Sequence, residues 1–136
     1  QFQSLDEARN YIRTISQPFG PHTESQWNAL TDSVLVQKDQ YWIPHYDPAI
    51  GLPLRAMTLD MAAAGEAAMW ALYDQIKAQT LLIRGQDSDL LTPETALEMT
   101  QRGPHARLET WAGFGHAPTL TGEDQIRALA SFLLSD

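Results

Sequence analysis

One stretch of the chain constrains the fold more than any other, because it joins a strand, an acidic loop and a helix start. An apolar run at 81–83 leads to Gly85, two aspartates follow, and Thr92-Pro93 opens a helix. The apolar residues are consecutive, which is typical of a parallel strand covered on both faces. Thr92 can cap the helix, and Pro93 suits its first position, where the missing N–H costs nothing. The acids therefore follow the carboxyl end of a parallel strand, where α/β sheets keep their binding and catalytic groups.

A second transition from strand to loop follows, and its loop contains a histidine. Residues 106–111 read as another strand and lead into a Gly-rich segment with His116. The chain between Asp89 and His116 is long enough for one loop, one helix and one strand, so neighbouring parallel strands would bring both residues to one edge of a sheet. A carboxylate orients a histidine base and stabilises the imidazolium that forms. The two loops therefore predict an acid–histidine pair.

Residues 61–136 predict an α/β core of two parallel strands with flanking helices. Two parallel strands that need cover on both faces and neighbours on both edges cannot make a complete sheet. We therefore expect the chain to be the C-terminal part of a larger α/β domain. The predicted order is a helix, a strand over 79–84, a helix over 93–102, a strand over 106–111 and a helix over 122–134.

Residues 1–60 read as a mainly helical segment that precedes this core. Apolar spacing and capping-box patterns predict its helices, and prolines with aromatic residues predict a loosely structured stretch after them. The expected elements are a helix over 4–16, a helix from Thr23 through Leu35 and a stretch poor in regular structure over 38–59. A helical stretch over 59–76, which Gly65 interrupts, then leads into the core.

The second half of the chain resembles the α/β-hydrolase family. The resemblance rests on the strand 81–85, the loop 88–93 and the segment 113–118. In that family the acid follows the seventh strand and the histidine the eighth, in the chain order found here. The resemblance implies the C-terminal part of an α/β-hydrolase sheet, with residues 1–60 as the helical cap that precedes it.

The same resemblance implies that Asp89 is the triad acid and His116 the triad base. Asp87 is a competitor for the acid. In the family the acid usually stands four residues before the proline that opens the next helix, and the spacing from Asp89 to Pro93 meets this count. We therefore favour Asp89.

The nucleophile of the family is not found in this sequence. It sits in a Gly-x-Ser-x-Gly elbow, and no such pentapeptide occurs in the 136 residues. We therefore expect the C-terminal portion of a hydrolase that cleaves an ester or similar bond, inactive without a segment that supplies the nucleophile and the oxyanion donors. Two alternatives stay open: an acidic nucleophile, as in haloalkane or epoxide hydrolases, and a non-catalytic α/β-hydrolase-like module for binding or assembly.

Composition and charge narrow the classes of partner. A net charge of −8 offers no basic patch for nucleic acid, and no stretch approaches the length of a membrane span. Without a signal-peptide pattern at its start, we expect a cytoplasmic protein. Cysteine is absent, and the spacings of His22, His45 and His105 match no zinc motif, so we predict neither a metal nor an organic cofactor and expect these histidines to be solvated or locally hydrogen-bonded.

The expected partners are a small-molecule substrate and the N-terminal half of the same protein. Trp42 and Tyr46, together with His45, are candidates to line the substrate pocket. We slightly favour the simpler interpretation that they fasten an irregular loop to its neighbours. Phe114 and Ala117 flank His116 and suit either packing or pocket lining. Self-association through an exposed sheet edge is a further expectation, because open edges pair readily.

Overall fold

The computed structural model describes residues 1–116 and 118–135 of the chain. Its helices and strands give a mixed α/β fold, as the sequence predicts. The helices are α1 (Leu5–Ile15), α2 (Glu24–Ser33), α3 (Leu52–Arg55), α4 (Leu59–Tyr73), α5 (Pro93–Gln101) and α6 (Glu123–Leu133), and the strands are β1 (Leu35–Lys38), β2 (Tyr41–Pro44), β3 (Leu81–Gly85) and β4 (Arg107–Trp111).

The chain divides into two compact units, each built from separate segments of the sequence. Unit 1 comprises Gln1–Tyr46, Ile83–Leu91 and Thr110–Asp136, and unit 2 comprises Asp47–Leu82 and Thr92–Glu109. Unit 1 therefore contains both loops that the sequence singles out, whereas unit 2 contains α4 and α5.

In unit 1, helices α1 and α2 are joined by an ion pair. The Ser4 hydroxyl caps α1 by accepting from the backbone N–H of Glu7 at 3.1 Å. From α1, the Arg9 guanidinium donates twice to the Asp32 carboxylate of α2, at 2.7 and 2.6 Å. This hydrogen-bonded pairing holds the pKa of Asp32 below its ordinary value. The geometry is bidentate, which fixes the relative orientation of the two side chains.

Strands β1 and β2 form an antiparallel hairpin in the stretch where the sequence predicts α2 to continue and regular structure then to cease. Both predictions are wrong here: α2 ends at Ser33, and Leu35 pairs with Pro44 in the hairpin. The turn depends on Asp39, whose φ is +55°. Aspartate tolerates this left-handed conformation better than most residues.

Strands β3 and β4 form a two-stranded parallel sheet. In unit 2 the backbone N–H of Arg107 donates to the Thr80 carbonyl at 2.9 Å, and in unit 1 that of Gln86 donates to the Trp111 carbonyl at 2.8 Å. The apolar residues of β3, Leu81–Ile83, are half-buried. Parallel pairing brings the loops that follow the two strands to one end of the sheet.

Unit 2 contains the longest helix, α4, which runs without a break through Gly65. The expected interruption there is wrong. An added Cβ at Gly65 would meet no atom within 4 Å. A glycine in an exposed helix interior costs only about 1 kcal/mol relative to alanine, and the neighbouring Ala62–Ala64 and Ala67–Ala68 favour the helix.

Helix α5 begins as its sequence dictates. The Thr92 hydroxyl accepts from the backbone N–H of Thr95 at 3.1 Å, and Pro93 occupies the first turn.

Over the residues that the structure describes, even the longest helix, of 15 residues, falls short of what a membrane crossing requires.

Candidate active site

The acid loop, which we define as residues 85–91 from the last residue of β3 onward, is braced by hydrogen bonds from Arg84 and within the loop. The buried Arg84 at the end of β3 donates from Nε to the Leu91 carbonyl at 2.7 Å and from Nη1 to the Gln86 carbonyl at 3.1 Å. The Ser88 hydroxyl accepts from the backbone N–H of Leu91 at 3.0 Å. A buried guanidinium that donates to two carbonyls of one loop fixes the shape of that loop.

The acid loop meets the histidine loop, residues 112–116, backbone against backbone. A Cβ added at Gly85 would lie 2.0 Å from the Gly115 carbonyl oxygen and 2.4 Å from that of Phe114. Beside this contact, the backbone N–H of Asp87 donates to the Phe114 carbonyl at 2.9 Å. Only glycine allows so close an approach at position 85.

His116 is exposed and lies beside Ser88. Its Nδ1 is 3.4 Å from the Ser88 Oγ, a long contact for a hydrogen bond. The predicted acids Asp87 and Asp89 are both exposed. Among the described residues, no carboxylate oxygen comes within 4.0 Å of the His116 ring nitrogens in an ion pair. The structure thus brings the two loops together and sets Ser88, which the sequence analysis did not single out, against the histidine.

The far side of the histidine loop packs on residues 18–20. The backbone N–H of Gly115 donates to the Pro18 carbonyl at 2.6 Å. A Cβ at Gly20 would lie 2.3 Å from the Phe114 ring, so that ring packs directly on the Gly20 backbone. Of the two residues expected to flank His116, Phe114 is therefore engaged in packing, and Ala117 lies outside the described residues.

The other two predicted pocket residues lie near the hairpin. Trp42 belongs to β2, is half-buried, and exchanges backbone hydrogen bonds of 2.9 Å with Phe2. Tyr46 follows the hairpin with 64% of its surface exposed. Neither side chain hydrogen-bonds to His116 in the described parts of the chain. Their part in substrate binding stays a prediction.

His22 makes a long-range contact that the sequence does not predict. Its Nδ1 lies 2.8 Å from the Gly20 carbonyl oxygen, a local contact of the kind expected, but its Nε2 lies 2.6 Å from the Thr119 hydroxyl. The ring also packs on Trp27, with centroids 4.7 Å apart. Because Thr119 is remote in sequence, no local pattern could have pointed to this pair.

Unit 2 contains an apolar cavity of about 270 Å³ between helices α4 and α5. None of its lining residues is a predicted site residue; they are Glu66, Met69, Trp70, Tyr73, Thr95 and Met99.

No cluster of three or more metal-ligating side chains occurs within residues 1–116 and 118–135.

The known proteins that this chain is similar to are about twice as long as the chain. No family model matches the chain. Over 97% of its length, it is 40% identical to the 3-hydroxybutyrate-oligomer hydrolase of Cupriavidus necator, of which it covers 46%. The chain therefore spans about half the length of this curated relative.

Several solved structures match the fold, two of them over 97% of this chain. One is an α/β hydrolase from Novosphingobium aromaticivorans, with a TM-score of 0.75, 28% identity and 46% of that protein covered. The other is a Rickettsia typhi protein, with a TM-score of 0.78, 25% identity and 43% covered.

Proposed function

We propose that this chain, which is similar to α/β hydrolases over 97% of its length, carries the acid and the base of an enzyme that hydrolyses carboxylic esters. The observation that carries the proposal is the contact between the acid loop and the histidine loop, which is so close that a Cβ at Gly85 would lie 2.0 Å from the Gly115 carbonyl oxygen. Two loops in backbone contact hold the main chains that carry the acid and His116 in a fixed mutual position, which acid–base catalysis needs.

His116 is assigned as the general base. Its Nδ1 lies on the side of the acid loop, 3.4 Å from the Ser88 Oγ, and the ring is exposed. We therefore assign Nε2 as the nitrogen that takes the proton from the nucleophile and returns it to the leaving group. A base must be accessible to the reacting hydroxyl, and an exposed ring meets this requirement.

Asp89 is assigned as the acid that orients His116 and stabilises its imidazolium. Asp89 is exposed and directly follows Ser88, the residue whose hydroxyl lies at Nδ1. Asp87 is the alternative acid. Its backbone N–H is committed to the Phe114 carbonyl, so its main chain already has a bracing role in the loop contact. In apo structures catalytic hydrogen bonds are often long and tighten only when substrate binds.

The nucleophile, a serine, is assigned to a segment beyond these 136 residues. The chain covers 46% of the Cupriavidus necator relative, and the sequence holds no Gly-x-Ser-x-Gly elbow. The N-terminal half of the protein would then supply the attacking hydroxyl and the oxyanion donors. On this account the 136 residues alone hydrolyse no ester.

The substrate class proposed is a short oligoester of a hydroxy acid. The support is the name of the relative that is 40% identical to the chain, a 3-hydroxybutyrate-oligomer hydrolase. Trp42, Tyr46, Phe114 and Ala117 remain the proposed lining of the substrate pocket. Aromatic and small apolar side chains suit the methyl-bearing chain of such an oligomer.

The test is labelling of the complete protein by a fluorophosphonate, which reacts with a serine activated by a histidine. We expect one label, on a serine outside the 136 residues, and its loss in His116→Ala. The matched control is Ser88→Ala, which removes the serine beside His116 and is expected to keep the label.

A label carried by Ser88 itself would contradict the assignment of the nucleophile to another segment. Labelling that persists in His116→Ala would contradict the assignment of the base. No label on the folded complete protein, together with no ester hydrolysis, would favour the acidic-nucleophile or non-catalytic alternative.

A further inference from the structure

We infer that His22 is a positioning residue for His116, acting through the segment 118–121 that follows the histidine loop. The inference rests on the proposed function, since it assigns His22 to the support of the same base. The inference is based on a set of hydrogen bonds that we call the His22 network. It is formed by His22, Gln26, Thr119 and Thr121.

The direction of these hydrogen bonds follows from the chemistry of the partners. The Gly20 carbonyl can only accept, so His22 Nδ1 donates to it across 2.8 Å. In the neutral ring Nε2 then accepts from the Thr119 hydroxyl across 2.6 Å. Thr119 has used its hydrogen, so the Thr121 hydroxyl donates to Thr119 across 3.1 Å. The chain of donors runs in one direction from Thr121 to the Gly20 carbonyl.

A second contact holds the same segment. Gln26 Nε2 donates to the Thr121 carbonyl at 2.9 Å. The Gln26 side chain is itself held by the capping box of α2, where its Oε1 accepts from the backbone N–H of Thr23 at 2.8 Å. The start of α2 thus supplies two side chains, from His22 and Gln26, that fix one short segment.

The segment is held in a strained conformation between these two contacts. Leu120 has a φ of +58°, in the left-handed region that bulky residues avoid. Such a residue persists only where its surroundings determine its conformation, and strain of this kind concentrates at functional sites. Here the two flanking threonines provide the constraint, Thr119 through His22 and Thr121 through Gln26.

The chain on the other side of His116 is held by the same part of the protein. The Gly115 backbone N–H donates to the Pro18 carbonyl at 2.6 Å. His116 therefore lies between two attachments to residues 18–26, one directly before it and one shortly after it. Attachment of the main chain on both sides restricts the positions that the exposed His116 ring can adopt. This matters for turnover because small displacements of a catalytic group lower kcat strongly.

The experiment compares Thr119→Val with Thr119→Ser in the complete protein. Valine keeps the shape and removes the hydroxyl, whereas serine keeps the hydroxyl. We expect Thr119→Val to lower kcat for p-nitrophenyl butyrate by about 10- to 100-fold, with KM changed less than about twofold, and Thr119→Ser to restore kcat. The matched control is Thr100→Val, which removes a hydroxyl that donates to the Leu97 carbonyl within α5 and should leave kcat unchanged.

A second readout does not depend on turnover. The ring ¹⁵N–¹H NMR signals of His116 should move in Thr119→Val and return in Thr119→Ser. If Thr119→Val does not fold, the same comparison uses His22→Gln and His22→Asn. A glutamine amide reaches the position of the His22 Nε2, and an asparagine amide only that of Nδ1, so glutamine should retain more kcat than asparagine.

The inference is overturned if Thr119→Val keeps wild-type kcat and unmoved His116 signals, or if serine fails to restore them. Equal losses in His22→Gln and His22→Asn would overturn it as well. Failure of the proposed function looks different: the complete wild-type protein hydrolyses no ester, or His116→Ala hydrolyses it at the wild-type rate. In that case the NMR comparison still decides whether Thr119 positions the histidine.

Discussion

Within unit 1 the two loops contact each other through backbone atoms, whereas within unit 2 the two helices contact each other through side-chain atoms. In unit 1 the acid loop and the histidine loop touch through their backbones at Gly85 and Gly115, where no side chain fits. In unit 2, α4 and α5 are linked by side chains, chiefly Tyr73 and Arg102. A backbone contact fixes geometry but tolerates no added atom, whereas side-chain contacts can be lost one at a time.

Arg102 is the centre of the contacts in unit 2. It donates to both oxygens of Asp74, at 2.8 and 2.5 Å, and to Glu98 at 2.7 Å. Its guanidinium also stacks over the Trp70 ring, 4.3 Å from the centroid. The hydrogen bonds to Asp74 and then to Glu98 raise the pKa of Arg102 above its ordinary value. The network is partly exposed, so we expect it to contribute less to stability than its number of contacts suggests.

The largest effect is expected for Gly85→Ala. The new Cβ would lie 2.0 Å from the Gly115 carbonyl oxygen, so the two loops must separate. We expect a loss of at least about 3 kcal/mol in the free energy of unfolding, measured by urea denaturation, or failure to fold.

The control is Gly65→Ala in α4, where an added Cβ meets no atom within 4 Å. Alanine is the better helix former, so this variant should gain about 0.5–1 kcal/mol. Equal effects of the two substitutions would contradict the difference drawn between the two regions.

A smaller effect is expected for Tyr73→Phe in unit 2. The Tyr73 hydroxyl donates to the Met99 carbonyl at 2.8 Å, and its removal should cost about 1 kcal/mol in the free energy of unfolding. The matched control is Tyr46→Phe, at a tyrosine that is 64% exposed, with an expected change below about 0.5 kcal/mol. Equal losses in both variants would mean that the Met99 contact does not link α4 to α5 energetically.

The smallest effect on stability is expected at acidic pH and comes from the titration of Asp74. Hydrogen bonding to Arg102 holds the pKa of Asp74 below the ordinary 3.8. The folded state therefore takes up this proton less readily than the unfolded state, so the stabilisation is complete above about pH 4 and is lost as the pH falls through the lowered pKa. Asp74→Asn should have a lower Tm at pH 7 and a smaller loss of Tm between pH 4 and pH 2 than the wild type.

Arg102→Gln provides the check on this reasoning, because it removes the same hydrogen bond from the other side. It should flatten the acidic limb of the Tm profile as Asp74→Asn does. An acidic limb unchanged in both variants would refute the account of the pair.

The sequence predicted the parts of the fold that local chemistry determines. The α/β class follows from the consecutive apolar residues of 81–83 and from Thr92-Pro93, which begins α5 as predicted. The β1–β2 hairpin was missed because its strands are short and its turn contains Asp39-Gln40, which lacks the Asn-Gly or Asp-Gly signal of tight hairpins. The break predicted at Gly65 was wrong because the helix tolerates one exposed glycine between alanines.

At the candidate site the sequence identified which loops meet but not which atoms meet. The sequence identified a Gly-rich segment with His116, and the structure adds that Gly85 and Gly115 touch. The contacts of Ser88 with His116 and of His22 with Thr119 join residues far apart in sequence. Such pairs depend on tertiary packing, which a single sequence does not encode in any local pattern.

The most direct test of the central claim is a double-mutant cycle on kcat for ester hydrolysis by the complete protein, with Asp89→Asn, His116→Ala and the double variant. Residues that act as one unit are strongly non-additive. We predict that each single variant loses about 10²- to 10⁴-fold in kcat and that the double variant is no slower than His116→Ala. Losses that multiply in the double variant, or wild-type kcat in Asp89→Asn, would contradict the pairing of acid and base across the two loops.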